Sequence, residues 1–319
     1  MMMHVPGTLW NKLGTTFTED LKTSEQIITQ SKMNFTVSAH PMGCDMAKIV
    51  KGYHALYRDD CNQLLGVVNT AYPQIVQNVD SFKIMESLLS RDLVSAETAS
   101  VYKSGESIFC VFPLKETYKL IDDDVQHYFI VVNDHLKPDG KVLVLNTPVR
   151  IACQNALSYA LSKAIYSVRI PVLDKVESMD YLASQLVESA ATAILYLNKS
   201  AEKMLKKKVS QEGTEKFFDE ILPFIESDGD NSHDKANDTI DLMRTTLTEC
   251  IHADNLSNYN GTVYQLYNGL TDFIQHYYKD GTKGYDLNHK ITMLPGIGTA
   301  DTKISWVKKL FAMQNEIAA

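Results

Sequence analysis

The sequence predicts an α+β protein: an N-terminal antiparallel sheet with packed helices over residues 1–172, followed by an all-helical region over residues 173–319. Short β-branched and aromatic runs separated by turn residues crowd the first half, and apolar residues recur at helical spacing through the second. The strand runs also follow one another instead of alternating with helices, which argues against a parallel βαβ sheet.

Taken in order, Thr18 to Lys32 is a helix candidate in which Thr23 and Gln26 stand at capping-box spacing. Phe35 to Ser38 is a strand. Tyr53–Tyr57 and Leu64–Val68 are two more, joined by the polar loop Arg58–Gln63. Ile75 to Ser90 is helical, with Ile75, Val79, Phe82, Met85, Leu88 and Leu89 on one side. Further strands are expected at Ser95–Tyr102, Ser107–Pro113, His127–Asn133 and Lys141–Leu145. Lys103-Ser-Gly-Glu106 and Lys137-Pro-Asp-Gly140 supply the turn chemistry between them.

The junction of the two halves is Asn146 to Leu161. Pro148 should end the strand before it, since proline cannot donate to a ladder. Val149, Ala152, Cys153, Ala156, Leu157, Ala160 and Leu161 then fall at helical spacing, leaving Arg150, Gln154, Asn155 and Ser158 on other faces. Arginine and amide side chains are the usual donors to phosphates and base edges, so Arg150, Gln154 and Asn155 are candidate nucleic-acid contacts. The competing reading is local capping and pairing at a buried junction.

From about Met179 helices take over. Leu182, Leu186, Ala190, Ala193, Ile194, Leu197, Ala201, Met204 and Leu205 mark a long helix closing on Lys206-Lys-Lys208, where cations suit the negative end of the dipole. Phe217, Phe218, Ile221 and Leu222 mark a helix stopped near Pro223. Ile240 to Ile251, Val263 to Tyr277 and Ile304 to Phe311 mark three more.

With 45% hydrophobic and 22% charged residues, the 319-residue chain reads as globular. A net charge of −8 speaks against wholesale coating of nucleic acid but leaves room for a local basic patch. The five cysteines are scattered and form no Cys-x-x-Cys pair, so neither a disulfide framework nor a zinc site is signalled. No signal peptide and no run near the ~18 apolar residues of a membrane span is read, so a cytoplasmic setting is expected.

Ordered blocks along the chain carry a family resemblance. They are Trp10-Asn-Lys-Leu-Gly14, Tyr57-Arg-Asp-Asp60, Leu65-Gly-Val-Val68, Tyr72, Gln77-Asn78, Ser104-Gly105 and Thr147-Pro-Val-Arg-Ile-Ala-Cys-Gln-Asn155, then Tyr267-Asn268, His276, Gly296-Ile-Gly298 and Lys303. Together they resemble the phage/plasmid-like protein family called domain of unknown function 932. Ala156 stands where that family usually has threonine. The resemblance implies an origin on a phage, prophage or plasmid and brings no activity with it.

Several motifs offer chemistry. Asp134, Asp139 and Lys141 have the residue types of a metal-dependent nuclease, but Pro138-Asp-Gly140 is also what a tight turn demands, and the turn is favoured. Asp228, Asp230, Ser232 and Asp234 alternate like calcium ligands, yet His233 and Thr239 occupy the positions an EF-hand gives to glycine and glutamate. His127, His135, His252 and His276 pair with nothing at metal-ligand spacing. There is no P-loop and no nucleophile elbow. Leu294-Pro-Gly-Ile-Gly298 with Lys303, Lys308 and Lys309 resembles the phosphate-holding hairpin of helix-hairpin-helix modules, with Gly296 and Gly298 at its turn. A plain turn into the last helix is its alternative. Lys199, Lys203, Lys206, Lys207 and Lys208 form a basic run that could track phosphates, with Tyr196 available to stack a base. Its alternative is a solvated helix end.

The functional expectation is a non-catalytic protein that binds nucleic acid, single-stranded by preference, in phage DNA replication or recombination. The alternative is a factor that docks on a host protein as an anti-defence inhibitor, which an acidic surface would suit. A homo-oligomer fits either. No cofactor, no metal and no membrane is expected.

Overall fold

A computed structural model describes residues 14–43, 48–121, 123–150, 167–171, 176–225, 232–277 and 301–318. The architecture is α+β, with antiparallel sheets in the first half and helices in the second. Two compact units emerge: Met1–Thr117 with Gln126–Thr147 and Lys163–Ala193, and Tyr118–Val125 with Pro148–Ser162 and Ile194–Ala319.

In the first unit β1 (Thr15–Thr16), β5 (Thr98–Tyr102), β6 (Ser107–Leu120), β7 (Asp123–Asp134), β8 (Lys141–Arg150) and β9 (Ser167–Pro171) follow one another across a six-stranded sheet. β2 (Val37–Gly43), β3 (Ile49–Arg58) and β4 (Gln63–Asn69) form a separate three-stranded sheet. Ile108 to Phe112 and Phe129 to Val132 are buried at every position, so β6 and β7 are covered on both faces. One cover is α2 (Lys83–Ser90), where Phe82 at its start meets Phe112 edge-on at 6.1 Å. Another is the first part of α3 (Val176–Leu205), where Ser189 accepts from Asn146 Nδ2 at 3.3 Å.

Helix α1 (Ser24–Gln30) begins with the capping box read from the sequence: Thr23 Oγ1 accepts from the Gln26 N–H at 3.2 Å, and Gln26 Oε1 accepts from the Thr23 N–H at 3.1 Å. The cap sets the start at Ser24, so the helix is shorter than Thr18–Lys32. The helix expected over Ile75–Ser90 is likewise shorter. Asn78–Asp80 forms a 3-10 turn first, which leaves Val79 exposed while Phe82, Met85, Leu88 and Leu89 are buried.

Pro148 does not end its strand: β8 runs on to Arg150, which places Val149 and Arg150 in a strand and not at the start of a helix. Among the described residues the register with β9 pairs Lys141–Leu145 with Pro171–Ser167. The rest of the expected junction helix, Ala152 to Leu161, lies outside the described residues. Strands β1 and β9 carried too little apolar patterning to be read from sequence.

In the second unit the latter part of α3, α4 (Gln211–Ile221), α5 (Ser232–Ile251), α6 (Val263–Asp272) and α7 (Asp301–Met313) surround a core rich in aromatics. Tyr264, Tyr267, Phe217 and Phe273 are fully buried, and Phe273 stacks on Trp306 at 6.5 Å. A π-helical turn, Phe273–Tyr277, extends α6. The hairpin tip between β6 and β7 belongs to this unit and clamps α3: the Ile121 N–H donates to Asn198 Oδ1, and Asn198 Nδ2 donates to the Lys119 carbonyl, each at 3.2 Å.

Candidate functional site

The long amphipathic helix α3 buries Leu197, Ala201 and Met204, and that burial dictates what its other side presents. Tyr196, Lys199, Lys203 and Lys206 are exposed at steps of three and four residues, so they run along one stripe. None of the three lysines makes an ion pair among the described residues. The hairpin clamp at Asn198 holds the stretch of helix that carries the stripe.

Lys207 is placed differently. Its ammonium donates to Gln314 Oε1 at 3.1 Å and to Asn315 Oδ1, so it fastens the segment after α7. Lys208 donates to the Asn260 carbonyl at 3.2 Å. Arg150 is the last residue of β8 and Lys303 lies in the first turn of α7. Gln154, Asn155, Gly296 and Gly298 lie outside the described residues, as do Asp228 and Asp230, while Ser232 and Asp234 fall within α5.

The turn reading of Pro138-Asp-Gly140 stands. Asp134 Oδ1 accepts from the Leu136 N–H at 3.1 Å and its Oδ2 pairs with Lys137 at 3.1 Å, while Asp139 Oδ1 accepts from the Lys141 N–H at 3.2 Å. Gly140 supplies the left-handed φ of +73°. No group of His, Cys, Asp and Glu able to hold a metal occurs among the described residues.

The histidines inside the sheet unit are core groups. Asn78 Nδ2 donates to the Met33 and Phe35 carbonyls at 2.9 and 3.0 Å, so its Oδ1 is the acceptor facing His135 Nε2 at 3.0 Å and that nitrogen carries the hydrogen. His127 Nδ1 lies 2.9 Å from Asn146 Oδ1, which extends through Asn146 Nδ2 and Ser189 Oγ to the Leu186 carbonyl. Burial pushes both imidazoles down to about 4. These chains fasten the sheets and α3 in place. Sequence gave no hint of them, because each joins residues far apart in the chain.

A second feature was also hidden. A cleft of about 670 Å³ opens in the sheet unit, lined by Phe17, Thr18, Glu97, Lys115, Gln126 and Tyr128 among others. Glu97 is mostly buried in it, and burial alone pushes its carboxyl up to about 7. Its Oε1 is shielded from solvent and has no hydrogen-bond partner among the described residues. Glu97 alternates with small and polar neighbours in Ser95-Ala-Glu-Thr98, which marked a strand and nothing more.

These features define an α+β protein with a sheet unit and a helical unit and, among the described residues, no helix long and apolar enough to cross a membrane. The chain belongs to the family described as Domain of unknown function (DUF932), whose model matches residues 64–297. Neither the comparison with curated proteins nor that with solved structures gives a match.

Proposed function

We propose that this protein binds single-stranded nucleic acid, without acting on it chemically, in the replication or recombination of phage or plasmid DNA. The α3 stripe supports this reading: an exposed aromatic ring and three ammonium groups along α3 and the turn that ends it, none of them ion-paired among the described residues, match the pairing of stacking platform and phosphate track that single strands favour. On a chain of net charge −8 the attraction has to be local, and a stripe about three turns long suits that.

Fluorescence anisotropy with a labelled oligothymidylate tests it. Engaging about three phosphates should make affinity fall about 20-fold between about 50 and about 200 mM salt. Replacing Lys199, Lys203 and Lys206 together by glutamate should abolish binding while the melting temperature holds. Tyr196→Ala should weaken binding about tenfold or more through lost stacking. Absence of salt-sensitive binding to any single strand would end this reading.

A second reading, docking on a host protein, is favoured by the small sheet. Leu64 and Val67 are about half exposed on β4, opposite Tyr57 and Ala55, and Tyr72 beyond it is 85% exposed. A stoichiometric host protein retained from lysate, and lost in Val67→Asp, would select it over nucleic acid.

A further inference from the structure

The Glu97 cleft shares no residue with the α3 stripe, and the family description assigns it nothing. Every other acid around it already has a partner. Glu19 Oε2 accepts from Gln30 Nε2 at 2.7 Å, and Asp20 pairs with Lys22 at 2.8 Å. Lys115 is the cation on the cleft wall, and it is taken by Asp92, which also pairs with Lys22 at 3.3 Å. Gln126 turns its amide to the Leu114 carbonyl. From β6, Cys110 faces Glu97 as a thiol whose pKa burial raises, so it brings no positive charge.

Glu97 is therefore a carboxyl held at a cleft wall with one oxygen unpartnered and no counter-charge supplied by the described residues. Leaving a buried polar oxygen unsatisfied disfavours the folded state. A ligand that brings a donor and a positive charge would recover that cost. Phe17 and Tyr128 also line the cleft, and aromatic faces attract the same kind of cation.

We infer that this cleft binds an organic cation, an alkylammonium or guanidinium group, whose charge pairs with the Glu97 carboxylate. Two sources share that chemistry: a small free amine, and the basic side chain of a partner protein. Binding requires the ionised carboxylate, so ligand and proton compete for Glu97.

Calorimetric titration of the full chain with butylammonium, agmatine and a blocked Gly-Lys-Gly peptide tests this. With the carboxyl at about 7, affinity should rise about tenfold between about pH 6 and about pH 8, and binding at the lower pH should release close to one proton. Tighter binding of agmatine assigns the site to a small molecule, and tighter binding of the peptide assigns it to a partner protein. E97Q should bind none of the three. Should E97Q not fold, the carbon-13 signal of the Glu97 carboxyl in the unaltered protein provides the readout: its titration midpoint should drop by about one pH unit or more in saturating butylammonium. Failure of all three probes to bind, equal binding of neutral butyramide, or an affinity indifferent to pH and to E97Q would overturn the inference. None of these outcomes bears on nucleic-acid binding by α3.

Discussion

Acidification is expected to destabilise this protein through two buried histidines, and removing Glu97 should make that loss steeper. His127 and His135 have no exposed surface worth the name, and burial lowers both from 6.5 to about 4. A depressed group means that the unfolded chain binds the proton first. The stability they contribute is whole above 6.5 and drains away as the pH falls toward about 4, at about 3 kcal/mol each. Protonated His135 is poorly served because Nε2 already donates to Asn78, and Nδ1 is buried without a partner among the described residues.

Glu97 acts in the opposite direction. Its carboxyl is raised from 4.5 to about 7, so the folded state takes up the proton first and gains about 3 kcal/mol as the pH falls through that window. The unaltered protein should thus lose about 3 kcal/mol between about pH 7 and about pH 4, and E97Q about 6 kcal/mol, while E97Q is the more stable of the two at about pH 8. His135→Gln and His127→Asn keep a donor near the native one without titrating, and each should remove about half of the histidine-driven loss. Urea midpoints measured across this pH range provide the check. An E97Q profile parallel to that of the unaltered protein would show that Glu97 is not held neutral by the fold.

Gly269→Ala should cost about 3 kcal/mol or more, although alanine is the better helix former by about 1 kcal/mol. Gly269 sits on the buried face of α6 against α5. A Cβ there would lie 2.6 Å from Ile251 Cα and 2.8 Å from Ile251 N, both backbone atoms that cannot turn aside. The helices would have to separate around Tyr264, Tyr267 and Leu270, all buried. Gly261→Ala is the contrast: its φ of +68° disfavours alanine, but nothing lies within 4 Å of the added carbon, so about 1 kcal/mol is expected. A Gly269→Ala protein with the unaltered denaturation midpoint would show that α5 and α6 do not approach this closely.

The class of fold and most of its elements are legible in the order of residues alone. Periodicity needs only neighbours along the chain, so the strands β3, β4, β6, β7 and β8 and all the helices of the second half were legible from the spacing of their apolar residues. Local chemistry was legible for the same reason: Thr23 with Gln26 as a cap, Gly140 as a left-handed turn, and the exposed lysines of α3 opposite its apolar side. Features that depend on residues distant in sequence came only with the folded chain. Pro148 stands inside a strand that runs on to Arg150, although proline offers no donor to a ladder. Lys207 left the basic stripe to hold Gln314 and Asn315, a difference from Lys203 and Lys206 that no spacing could reveal. Glu97 looked like any strand carboxylate until the surrounding segments removed water from one of its oxygens with no cation beside it among the described residues, because the cost of a buried charge is set by everything that encloses it and not by its own position in the chain.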